Sequence, residues 1–239
     1  MDQVAPPAQR LPVPRVVAFA IVSAMLAKGD KEMAILTVMA FTCYLRPHEG
    51  FELLTQSLVA PNPAEGPQCD SWAVIVNDAF SDRAGKTGLM DESVLVDKDQ
   101  WLWPVLEALK IAKPMPGPLW TFSAHHVRAT WLWAVERLSL QSLAPQPHSL
   151  RHGGASDDVL TRRRSLLEVK QRGRWSTGQS LRRYSKAARL QTELAKVPPP
   201  VVGFGKWIEQ NFAQAIVDVA QLGTPPMQLP PPFLALRRS

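Results

Sequence analysis

QPHSLRHGGAS, residues 146–156, follows directly on Pro145 and sets His148, Arg151 and His152 ahead of nothing bulkier than Gly153, Gly154 and Ala155. Proline is favoured in the first turn of a helix, where its missing N–H is not needed, so Pro147 predicts a helix start. On that helix His148 and Arg151, three positions apart, share a face. Side-chain donors at a helix N-terminus make a place for an anion. The small residues behind them let the helix pack tightly, or let a phosphate backbone approach closely. HxxR alone is a weak signal, since His125 and Arg128 of HHVR satisfy it too.

Helical patterns surround this stretch. PRVVAFAIVSAMLAKG (14–29) and KEMAILTVMAFTCYLR (31–46) have helical apolar density and read as an antiparallel pair turned at Gly29 and Asp30. Further helices are expected near 101–111, 123–140, 149–161, 165–173 and 178–196. SWAVIV (71–76) and ESVLVD (92–97) are short and rich in Val, and predict a small antiparallel sheet with Lys86 in its connecting turn. The fold class expected is mainly α, as α+β. Residues 1–14 read as a proline-rich leader, 15–196 as the main domain, and 197–239 as a proline-rich tail. The tail holds one amphipathic helix between flexible tethers, with Trp207, Phe212, Ile216 and Val219 on its apolar face.

The chain has 239 residues, enough for a substantial core. Its longest apolar run, 16–27, is 12 residues, short of the roughly 20 that span a bilayer, so no membrane segment is expected. Cys43 and Cys69 have no metal-ligand or redox spacing, so no metal site is expected. AGKTG (84–88) lacks the glycine that a phosphate-binding loop needs at position 80, which is Phe80, and this argues against a nucleotide cofactor. The net charge is +6, but residues 151–190 alone carry 11 Lys and Arg against three acids. Such a block is the footprint expected for a phosphate-rich partner; the alternative is a solvated basic face. Seven of its arginines, Arg162, Arg163, Arg164, Arg172, Arg174, Arg182 and Arg183, are the candidate DNA contacts.

Arg46 and Glu49 in CYLRPHEGFEL, a hairpin Lys86, His148 and Arg151, then Trp175 and Tyr184 in RGRWSTGQSLRRYSK occur in this order. The set resembles the catalytic domain of the tyrosine recombinases, the phage-integrase family, over roughly 15–190. The resemblance implies a helical recombinase-like domain with a small antiparallel sheet. It makes Tyr184 the nucleophile, Arg46 and Arg151 the phosphate clamp, Lys86 the general acid, and His148 and Trp175 supporting donors or acid–base helpers. Trp175 stands where many members have histidine; its indole N–H donates but accepts no proton, leaving His148 as the base. HHVR has no place in the order.

The implied reaction is DNA cleavage and rejoining through a 3′-phosphotyrosine, without cofactor or metal. Charge growing on the phosphate oxygens is met by guanidinium forks whose N–H geometry matches phosphate. The implied partners are double-stranded DNA and further copies of the chain, as a tetramer. The implied location is intracellular, and nuclear in a eukaryote. Site-specific members usually carry a separate N-terminal helical domain that closes around DNA. The leader supplies none, so a mobile-element derivative that binds weakly unaided is expected. The competing reading is a catalytically silent DNA-binding remnant.

Overall fold

The computed structural model describes residues 12–77, 92–175, 191–192 and 194–222, with side chains in the last helix to residue 216. In chain order the elements are α1 (Arg15–Lys28), α2 (Lys31–Thr42), α3 (Pro47–Phe51), β1 (Leu58–Val59), β2 (Ala73–Asn77) and β3 (Glu92–Leu95). There follow α4 (Trp103–Ile111), α5 (Ala124–Arg137), α6 (Pro147–Leu160), α7 (Leu166–Arg172) and α8 (Pro199–Leu222). The described fold is therefore mainly helical with one three-stranded antiparallel sheet of order β1-β2-β3.

Two helices apolar on every side form the centre. Val17–Leu26 in α1 and Met33–Thr42 in α2 are buried without interruption, the pattern of a helix enclosed by its neighbours. Gly29 turns between them at φ 86°, and the Asp30 side chain accepts from Met33 N to cap α2. α1 is covered by α2, α5, α6 and α8.

The small residues of 146–156 serve packing. A Cβ on Gly154 would lie 1.9 Å from the Phe41 carbonyl oxygen, and one on Gly153 would lie 2.2 Å from that of Val13. α6 thus lies backbone to backbone against the end of α2 and the segment before α1. Of the two uses the sequence left open for these glycines, close helix packing is the one observed.

The sheet pairs Leu58 with Val74 and Ala73 with Leu95. Leu58, Val74, Val94 and Val96 turn to the core. A register irregularity follows Ile75, after which Asn77 faces Glu92. Between them lie residues 78–91, with Lys86, outside the described residues.

The helix expected in the tail docks on the main domain. α8 begins at Pro199, its prolines occupying the first turn, and Phe204, Ile208, Phe212 and Ile216 are buried. It lies against α1 so closely that a Cβ on Gly205 would come within 2.0 Å of the Val16 carbonyl oxygen. Trp101 bridges the two helices, 5.9 Å from Phe19 and 5.8 Å from Phe212 between ring centres. Residues 199–216 therefore belong to the main core. Val219's side chain lies outside the described residues. No helix among the described residues is long and apolar enough to cross a membrane.

Candidate active site

α2 ends at Thr42, and Tyr44 takes a left-handed φ of 51° that turns the chain sharply. Arg46 then stands as the residue before α3, with Pro47 in the first turn, and Glu49 reaches back to accept from the Arg46 backbone N–H at 2.7 Å. The same carboxylate accepts from Arg46 Nη1. Glu49 thus orients Arg46 through both its backbone and its side chain.

Arg151 lies one turn into α6 and is 2% exposed. Its Nη1 donates to the Tyr44 carbonyl at 2.5 Å and its Nη2 to that of Gly173. These carbonyls lie just past the ends of α2 and α7, where the helix dipole favours a cation. Arg151 Nη1 is also 3.9 Å from Glu49. Beyond Gly173, Arg174 is left-handed at φ 50° and turns inward, donating to Glu49 Oε2 at 2.5 Å. Its Nε lies 3.4 Å from Glu92 of β3. Three guanidinium groups thus surround Glu49, which is 4% exposed. Trp175 lies under the Arg151 guanidinium, 5.0 Å from the ring centre, and stacks on Tyr44 at 6.2 Å.

The structure accordingly brings Arg46, Arg151 and Trp175 together, and adds Arg174, Glu92 and Tyr44. His148 is half-buried one turn before Arg151, its ring edge-to-face with His152 at 5.0 Å. Lys86, Tyr184, Arg182 and Arg183 lie outside the described residues. Of HHVR, His125 and Arg128 are exposed on α5, while His126 pairs with Asp30 at 2.5 Å.

Among the described residues of the basic block, several arginines are engaged by acids and carbonyls of the fold. Arg164 bridges Asp97 at 2.6 Å and Asp158 at 3.0 Å, and Arg163 lies 2.9 Å from Asp99. Arg172 donates to the last carbonyl of α2, Thr42, at 2.8 Å and to the Leu95 carbonyl. Burial would raise the Asp97 carboxyl, but Arg164 and Arg172 beside it hold it below the ordinary range. Asp97, Asp99, Glu49 and Glu92 all lie outside 151–190, so a count over that window includes Asp158 but misses most of the acids that answer its arginines. Arg162 is exposed.

The chain has two tyrosines. Tyr44 is fully buried and donates its hydroxyl to Asp158 at 2.5 Å. Burial, and then the neighbouring Asp158 charge, push its phenol well above the ordinary range. A phenol so held is a poor nucleophile, and its ring instead forms the floor on which Trp175 rests. Arg46 engages Glu49 through Nη1, and its side chain keeps 16% exposure, so its fork can meet an incoming phosphate oxygen.

No protein-family model matches the chain, and neither does any of the curated proteins or solved structures compared with it.

Proposed function

We propose that the chain is a tyrosine-recombinase-type enzyme that cleaves and rejoins DNA through Tyr184. One observation carries the reading: Arg46 and Arg151, from distant parts of the sequence, share one buried carboxylate, with Trp175 laid against Arg151. Arg46, fixed by Glu49 and still partly exposed, is a preorganised donor for charge developing on a phosphate, and Arg151, held by helix-end carbonyls, fixes the cluster behind it. In the proposed step the Tyr184 oxygen attacks phosphorus and its proton passes to His148. The bond from phosphorus to the 5′-oxygen breaks, and that oxygen takes a proton from Lys86. The phosphotyrosyl ester keeps the energy of the broken bond for rejoining. The remnant reading draws on the basic block, whose described arginines are largely engaged inside the fold, and so has less support.

The test uses a pool of nicked duplexes of randomised sequence, in which a short 5′-hydroxyl fragment diffuses away after cleavage and leaves the protein linked to labelled DNA. A denaturing gel run in chelator should show an adduct for the wild type and for Tyr44→Phe, and none for Tyr184→Phe. Arg46→Ala should slow its formation by about 10²- to 10³-fold, the usual loss for one transition-state donor. An adduct that persists in Tyr184→Phe, or none in the wild type, would overturn the reading.

A further inference from the structure

At the opposite end of α2 from Arg46, roughly 18 Å away along the helix, the starts of α2 and α5 border a cleft of about 810 Å³. That is the size of a small-molecule site. Both carboxylates in the cleft are spent on the fold. Asp30 accepts from Met33 N at 3.3 Å through Oδ1, and from His126 Nε2 at 2.5 Å and Thr130 Oγ1 at 3.1 Å through Oδ2. Glu32 accepts from Lys113 through one oxygen and from the Thr121 backbone and hydroxyl, at 2.7 and 2.9 Å, through the other. Lys28 and Lys31 border the same space, with Lys28 Nζ 4.8 Å from the centre of the Trp133 ring. Burial lowers the Lys31 ammonium from its ordinary value, a cost that an anion beside it would offset. Aromatic rings form another wall. Phe122 lies 5.7 Å from Trp120 and 5.7 Å from His126, with planes 12° and 21° apart. His126 ends this stack among the described residues, with 41% of its side chain exposed, and its bond to Asp30 fixes the ring's orientation.

We propose that this cleft binds a nucleoside phosphate, its base laid on the stack of His126 and Phe122 and its phosphate held by Lys28 and Lys31. Every base has a flat π face, so such a stack takes any of them, and ammonium groups supply point charge without demanding one geometry. The chain's one stretch resembling a phosphate-binding loop lacks the required glycine, so recognition here comes from side chains that only the fold gathers. A free mononucleotide and an unpaired nucleotide of a DNA strand offer the same chemistry. The proposal does not depend on the recombinase reading.

Isothermal titration of the full chain with AMP, adenosine, ribose 5-phosphate and inorganic phosphate tests both halves of the site. AMP should bind roughly tenfold or more tighter than each of the other three, the scale of one stacked base or one charge-assisted contact. His126→Gln keeps a side-chain donor for Asp30 but removes the ring, and should bring AMP down to the affinity of ribose 5-phosphate. Lys28→Ser together with Lys31→Ser should bring it down to that of adenosine. Arg46→Ala should bind AMP as the wild type does, which tells this cleft apart from the candidate active site. Pentathymidylate compared with dTMP separates the two sources. A strand that binds roughly tenfold tighter than the mononucleotide makes the natural ligand an unpaired strand, equal affinities make it a free nucleotide, and either keeps the nucleotide in this cleft. AMP binding that is absent, that is no tighter than that of phosphate or adenosine, or that falls with Arg46→Ala and not with the cleft variants, would overturn the proposal. Thermal melts accompany the titrations, and if His126→Gln lacks the native transition, the paired lysine variant decides alone.

Discussion

Glu49 is the residue on which the candidate site turns, because its carboxylate is the shared acceptor for Arg46 and Arg174 and lies near Arg151. Removing one partner of a buried ion cluster leaves uncompensated charge, so Glu49→Ala should cost about 3–5 kcal/mol, read from the urea midpoint at constant slope. Gly154→Ala tests the close approach of α6. The added methyl would meet the Phe41 carbonyl, and a loss of about 1–3 kcal/mol is expected for overpacking where little can give way. The pairing of Arg46 with Glu49 was legible in the sequence because the two are three positions apart. The stack of Tyr44 on Trp175 and the bridge from Arg174 to Glu92 were not, because they join residues that only the finished fold brings together. Arg174 was misread for the same reason: a cation looks solvent-facing until its acid, far away in sequence, is known.

At the scale of elements, local chemistry wrote most boundaries into the chain. Gly29 and Asp30 fixed the first turn, and Pro147 fixed the start of α6. β1, two residues long, carries too little pattern to be seen before its partner is known. The start of α8 was obscured because prolines mark loops and helix first turns alike. α7 offers a pH test of such local signals. Ser165 and Glu168 cap it reciprocally, with Glu168 N donating to Ser165 Oγ at 3.3 Å and Ser165 N to Glu168 Oε2 at 2.6 Å. The backbone and hydroxyl of Ser165, then Lys98, lower the Glu168 carboxyl from 4.5 to about 2. A folded-state value below the unfolded one means stability that is present at neutral pH and lost as pH falls from about 4.5 to about 2. The melting temperature of Glu168→Gln should therefore lie below that of the wild type at pH 7, and the gap should close in this window. A gap independent of pH would show that the cap does not depend on this charge.

The whole molecule is organised around α1, and α8 is one of its walls. Phe212→Ala should cost about 3–5 kcal/mol in urea unfolding. A chain ended after Lys196 should lose its cooperative transition rather than merely change its association on DNA, because the apolar face of α8 is spent within its own domain. Charge reversal separates surface from interior in the same way. Arg162→Glu should weaken binding to all duplexes alike and lower the salt slope by about 1, as for one phosphate contact, with an unchanged melt. Arg164→Glu should instead unfold the protein, since Asp97 and Asp158 would lose their partner. Both are read by anisotropy at several salt concentrations beside a thermal melt. Arg15, at the start of α1, pairs with Glu209 of α8, 194 positions later. Ribosomes add roughly 5–20 residues each second, so this apolar helix emerges roughly 10–40 s before its last wall is made. During synthesis α1 should therefore be a chaperone client, and nascent chains stalled before residue 199 should be held by the cell's chaperones far longer than those stalled after the helix has cleared the exit tunnel.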